Sequence, residues 1–185
     1  MKLVIDCRVI AVGYHNGLSR FTSRLMTALY ELTPFTAVIY DTRQLEHLPK
    51  GIDYIIGPKY SVSSQRTLTK MLNDSGADIV FAPTVFFTLG KRKFKLISSL
   101  HDTNGFDVKD PFGHEEKLHH KLLWRAYHST KTPQRATLET SDHIVTVSEA
   151  SKQAILDYKL TKRPISVIYN APFDVTPVHY QPDRS

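Results

Sequence analysis

Ser141-Asp142-His143-Ile144-Val145-Thr146-Val147-Ser148-Glu149-Ala150-Ser151-Lys152 holds a strand and a helix start with almost nothing between them. His143 to Val147 is rich in β-branched residues and reads as a strand. Ser148 then caps a helix that runs to about Tyr158, a role worth on the order of 1 kcal/mol. Ile165-Ser166-Val167-Ile168-Tyr169 follows as another strand. Strand, helix and strand in such close order form the repeating unit of a parallel sheet.

The same alternation runs back to the amino terminus. Leu3-Val4-Ile5, Ala37 to Tyr40, Tyr54 to Ile56, Ile79 to Ala82 and Leu96 to Leu100 read as strands. Leu18, Phe21, Leu25, Ala28, Leu29 and Leu32 recur at helical spacing, so they are expected to put one helix face on the core, with Pro34 ending the helix. A second helix is expected from Ser63 to Asn73, closed by Gly76, and a long one over about His114 to Lys131. Thr132-Pro133 reads as an N-cap followed by proline at the first helical position. The fold class is therefore α/β: a Rossmann-like three-layer domain with a mostly parallel sheet and helices on both faces. Strands with little polar alternation fit burial on both sides. The domain is expected to span 1–170. Residues 171–185, with Pro172, Pro177 and Pro182 and no periodicity, read as a linker or tail.

Composition narrows the class. The 185 residues are 41% hydrophobic and 23% charged, as in ordinary globular chains. One cysteine, Cys7, excludes a disulfide framework and a multi-cysteine zinc site. No apolar run approaches the roughly 20 residues that span a bilayer, and Asp6 comes too early for a signal peptide. A cytoplasmic setting is the simplest expectation. With 24 basic and 18 acidic residues the chain carries a formal charge of +6, which favours an anionic partner. No nucleic-acid motif accompanies that charge, and no G-x-S-x-G hydrolase elbow occurs.

In a doubly wound sheet, ligands bind outside the carboxyl ends of the strands. That rule selects Asp6 to Gly17, Pro83-Thr84, His101-Asp102, Ser148-Glu149 and Tyr169-Asn170. His101 can offer a hydrogen bond or a proton near neutral pH; the plainer reading is a loop histidine beside Asp102. The loop from Gly13 to Arg20 opens a helix and favours an anion there, but matches neither GxGxxG nor a P-loop; the plainer reading is a turn whose Arg20 covers a helix surface. His119-His120 lacks an HExxH pattern and reads as a solvated helix face. Lys117, His120, Lys121, Trp124, Arg125 and His128 fall on one side of a helix. That stripe could lie on an anionic membrane, or be an outer face whose Trp124 tucks into a neighbour.

Together, several segments resemble family-4-like glycosyltransferases. Gly17-Leu18-Ser19-Arg20-Phe21-Thr22 resembles the glycine loop and helix start often written GIGRYT. His101-Asp102 is similar to the family's His-Asp pair. Ser141 to Lys152 resembles its ADxIIxVSExSK segment, and Val167-Ile168-Tyr169-Asn170-Ala171 its VIxNGVD stretch. The resemblance implies one half of a GT-B architecture, the amino-terminal, acceptor-side domain of a retaining enzyme. It implies transfer of a sugar from a nucleotide-sugar to a sugar, lipid-linked or other polar acceptor, as in glycan, lipopolysaccharide or exopolysaccharide assembly. It implies that His101 contacts the donor sugar, and that backbone amides at Gly17 and Leu18 approach the donor phosphates. Arg20, Asp102, Ser148, Glu149 and Asn170 become cleft or acceptor candidates, and Lys117, Lys121, Trp124 and Arg125 a membrane or acceptor face, with the protein peripheral to the inner side of the membrane. No metal and no cofactor are implied, because the nucleotide-sugar is a substrate.

Two departures stand beside the resemblance. Asn16 precedes Gly17 where many members have paired glycines. No Glu-x7-Glu of the donor domain occurs; the nearest spacing is Glu149 to Asp157. The chain alone is therefore expected not to transfer sugar efficiently, a carboxyl-terminal donor-binding domain being required as partner. The contrasting expectation is a self-contained, non-catalytic binding module for an anionic ligand.

Overall fold

The computed structural model describes residues 1–61, 63–86, 88–103 and 131–171. Strand β1 (Leu3–Asp6) leads to helix α1 (Gly17–Leu32). Then come β2 (Thr36–Ile39), a 3-10 turn over Thr42–His47 and β3 (Asp53–Ile56). The described chain continues with α2 (Gln65–Asp74), β4 (Ile79–Ala82), β5 (Lys95–Ser99), α3 (Thr132–Glu139), β6 (His143–Thr146), α4 (Glu149–Asp157) and β7 (Ile165–Val167). Among the described residues, seven strands form one sheet in the order β3-β2-β1-β4-β5-β6-β7. Every neighbouring pair is parallel, so the sheet is wholly parallel rather than mostly so.

The two-residue period of the strands divides the core into two faces. Val4, Val38, Val80, Ala82 and Leu96 pack with Leu68 and Leu72 of α2. Their neighbours Ile5, Ala37, Ile39, Phe81 and Val145 pack with Met26 of α1. Leu138 of α3 and Ile155 of α4 close over Ile144, which points away from the Val145 side. Helices thus cover both faces of the sheet, and each fully buried large apolar side chain contributes roughly 1.5–3 kcal/mol.

Three sequence expectations change, and one element is added. The strand at Tyr54 to Ile56 is exposed, with Tyr54 at 45% and Ile56 at 57% of full accessibility, because β3 is the edge of the sheet. Helix α1 keeps only part of its expected stripe on the core, where Leu25 and Leu29 pack. Ser19, Thr22 and Met26 are its fully buried residues, while Leu32 is 83% exposed. Ser19 is buried with its hydroxyl bonded to the N–H of Ala11, and Leu18, Phe21 and Ala28 turn toward a cavity instead. Thr132 lies inside α3; Lys131 is the N-cap, so Pro133 falls one place later, where its missing N–H still costs nothing. The 3-10 turn was not legible as an element. It is set by Gln44, whose side chain accepts from the backbone N–H of Tyr40 and donates to the carbonyls of Cys7 and Ile10. Of the helix expected over about His114 to Lys131, all but Lys131 lies outside the described residues, as do Lys117, Lys121, Trp124 and Arg125 within it and the tail after Ala171.

Asp142 ties β5 to β6 at the end of the sheet opposite the cleft. Its carboxylate accepts from the backbone N–H of Leu96 at 2.8 Å and from the Arg92 guanidinium. Its own N–H donates to the carbonyl of Leu96. Burial pushes the carboxyl up, but the Arg92 and Leu96 hydrogen bonds and the charges of Arg92 and Lys95 outweigh it and hold it at about 2. The stabilisation is therefore full above the ordinary value near 3.8 and is lost as pH falls toward 2. Asp142→Asn is expected to cost at most about 2 kcal/mol at neutral pH, partial exposure reducing the effect. Urea melts at pH 7 and pH 3 check this: the gap between wild type and variant should narrow at the lower pH.

Candidate functional site

The strand order reverses between β1 and β4: the chain first builds outward through β2 and β3, then returns to the other side of β1. Such a reversal opens a crevice at the carboxyl ends of the strands. A cavity of about 760 Å3 lies along that edge. It is walled by the start of α1 (Gly17, Leu18, Arg20, Phe21), by Thr84 and Val85 after β4, and by Ser99 to Asp102 at the end of β5. Ile168 to Ala171, beyond β7, close it.

The cap of α1 decides what that helix offers. Asn16 is extended, and its Oδ1 accepts from the N–H of Ser19 at 2.8 Å. Its carbonyl accepts from the N–H of Arg20 at 2.9 Å. The first turn of a helix has four amides without intrahelical partners. Of these, the Asn16 side chain takes that of Ser19, and the Arg20 bond is the first of the helix proper, so the amides of Gly17 and Leu18 have no partner among the described residues. No acidic side chain sits in this first turn, and Arg20 is exposed at the rim. A Cβ added at Gly17 would meet nothing within 4 Å, and its φ is not positive, so the fold itself does not demand glycine there. Gly13, at φ +89°, is the loop glycine that the backbone does require.

Ser19 holds the rest of the loop. Its buried hydroxyl accepts from the N–H of Ala11 at 3.0 Å and lies 2.8 Å from Nδ1 of His15. The His15 ring stacks on His47 at 4.0 Å between centroids. With Ala11 donating to Ser19, the hydroxyl proton is free to point at Nδ1, which favours neutral His15. Sequence reading missed Ser19, because a serine in a helix carries no signal of its partners.

His101 is half-buried. Its Nε2 lies 2.8 Å from the carbonyl of Pro83, and its ring meets Phe21 edge to face at 4.7 Å. A carbonyl only accepts, so Nε2 carries the proton. Nδ1 has no partner among the described residues and belongs to a side chain that lines the cavity. The neighbouring Ser99 hydroxyl is buried and unpartnered.

The cavity thus gathers Gly17, Leu18, Arg20, His101, Asp102 and Asn170. Ser148 and Glu149 do not line it. Ser148 accepts from the N–H of Ser151 as the cap of α4, and exposed Glu149 reaches toward Lys152 at 4.0 Å. Among the described residues, no group of three or more His, Cys, Asp or Glu is placed to hold a metal ion, and no helix is long and apolar enough to cross a membrane.

A family model, Glycosyltransferase Family 4, matches residues 15–171, from the residue before the α1 cap to the last residue of the cavity wall. The chain belongs to that glycosyltransferase family. A search among curated proteins returns no match to it. Family membership supports a glycosyltransferase-type role for the chain, with a sugar donor and an acceptor as partners in general.

Burial, His47 and Arg20 together lower the pKa of His15 below its usual 6.5, against an opposing pull from Glu46. The neutral ring is favoured in the fold, so its contribution is complete above pH 6.5 and fades as pH falls below it. An NMR titration should find His15 with a midpoint below 6.5, and the amides of Ala11 to Ser19 should shift with the same midpoint.

Proposed function

We propose that this chain is the acceptor-side half of a retaining GT-B glycosyltransferase that uses a nucleotide-sugar donor. The observation that carries the reading is the pair of amides at Gly17 and Leu18, unpartnered among the described residues and set in one cavity with His101. Helix amides and the helix dipole favour a phosphate there, and Arg20 adds positive charge at the rim. As the glycosyl C1–O bond to phosphate breaks, negative charge grows on the departing phosphate. Donors fixed in advance stabilise that charge best. The acceptor hydroxyl oxygen forms the new bond to C1 on the same face, and its proton passes to the leaving phosphate. His101, with Nε2 donating to Pro83, presents Nδ1 as an acceptor for a hydroxyl of the donor sugar, which orients the ring. The remaining donor contacts come from a second domain beyond 171–185, and the work is done at the inner face of a membrane on a polar or lipid-linked acceptor. The contrasting reading, a non-catalytic module for an anionic ligand, draws on the charge of +6.

Gly17→Ala separates folding from binding, because the fold has room for the methyl group. We expect its melting temperature to stay within a few degrees of wild type, since Gly→Ala at a compatible site is worth about 0.4–1 kcal/mol in favour of folding. With the two domains present, turnover of nucleotide-sugars by Gly17→Ala and by His101→Ala should fall by about 100-fold or more. Turnover that survives both substitutions in folded protein would overturn the reading.

A further inference from the structure

A chain of contacts runs from a buried ion pair at the end of β1 to the carbonyl that holds His101. Arg8 binds Asp6 through two nitrogens, at 2.7 and 2.8 Å, and both side chains are almost wholly buried. A third guanidinium nitrogen donates to the carbonyl of Pro58 at 2.9 Å, which fixes the chain just after β3. Gly57 sits against the same group: a Cβ there would come within 2.8 Å of Val38 and 3.5 Å of Arg8. Two residues beyond Pro58, the Tyr60 ring lies 5.3 Å below the Arg8 guanidinium. Its hydroxyl donates to the carbonyl of Val85 at 2.9 Å.

Val85 ends a short irregular segment. Ala82 closes β4 before it, and Phe86 follows it, anchored in the core with no exposure. Within the segment, the Pro83 carbonyl accepts from Nε2 of His101. Turning that peptide plane would remove the partner that fixes the tautomer of His101. The backbone between Ala82 and Phe86 lies in neither helix nor strand, so no ladder hydrogen bonds hold its peptide planes. The bond from Tyr60 pins the Val85–Phe86 peptide, two peptides on from that of Pro83, from outside the cavity, since Tyr60 is not among the residues that line it.

We propose that Tyr60 is a positioning residue for His101, acting through the Pro83–Val85 segment while the Asp6–Arg8 pair holds its ring. The proposal rests on the reading of His101 as the group that faces the donor sugar. It adds a residue from the far side of β1 to the machinery of the site.

Tyr60→Phe tests it by deleting only the hydroxyl and leaving the ring under Arg8. The readout is the ring 15N shifts of His101 in the 185-residue chain, which report the tautomer. We expect the population with the proton on Nδ1 to rise at least threefold, with the melting temperature little changed. Tyr54→Phe, at an exposed tyrosine of β3, should leave the shifts as they are. Thr84→Gly loosens the same segment without touching Tyr60 and should move His101 in the same direction, so the test stands even if Tyr60→Phe folds poorly. Unchanged His101 shifts in folded Tyr60→Phe, or in Thr84→Gly where the first variant is unfolded, would overturn the proposal. With the donor domain present, kcat should fall about five- to tenfold with KM for the nucleotide-sugar unchanged. A moved tautomer with unaltered turnover would instead contradict the role given to His101 and leave the coupling from Tyr60 intact.

Discussion

Parallel pairing makes every strand end on the same edge of the sheet. Seven such ends lie side by side here, and the order of the strands reverses between β1 and β4. Loops from distant parts of the sequence are thereby brought to one crevice. His101, eighty-odd residues from Gly17 in the chain, shares a cavity wall with it because β5 and α1 both deliver residues to that edge. Nothing in the loops themselves would gather those groups. The helix cap then decides what the edge offers. Asn16 satisfies the amides of Ser19 and Arg20 and leaves the two before them open. An acidic cap would have brought a negative charge to the place where an anion is favoured.

The two ends of the sheet divide their work. At the carboxyl edge, polar groups are left without partners among the described residues: the amides of Gly17 and Leu18, Nδ1 of His101 and the hydroxyl of Ser99. At the opposite edge, Asp142 is fully engaged by Arg92, Leu96 and Lys95. Within Ser141 to Lys152, the most specific stretch of the sequence, three polar residues have structural partners, while the buried Thr146 hydroxyl has none among the described residues. Asp142 ties two strands, Ser148 caps a helix, and the Ser141 hydroxyl donates to Ser98. Those three residues of the segment serve folding, whereas the proposed site is built from groups that the fold leaves without partners among the described residues.

Much of the fold was legible in the residues alone. β-branched runs followed directly by helix starts leave few topologies other than a doubly wound sheet, and Gly76 and Ser148 punctuate it as expected. What stayed hidden shares one cause. The orientation of α1 buries two polar side chains, Ser19 and Thr22, which hydrophobicity does not encode. The exposure of β3 depends on its being last in the spatial order, and chain order does not give that. In the site, Gly17, Leu18 and His101 could be marked from position and resemblance. Ser19, Tyr60 and the Pro83 carbonyl could not, because each acts through a partner far away in sequence or through the backbone, which every residue shares.

The central claim is that the open amides of α1 receive a phosphate. The most direct measurement is a titration of the 15N-labelled chain with inorganic pyrophosphate, followed at the amide resonances of Gly17 and Leu18. The account predicts a saturable downfield shift at those two amides, with the Arg20 side chain perturbed over the same range. Binding seen only at the basic run Lys91 to Lys95, with Gly17 and Leu18 unmoved, would contradict it.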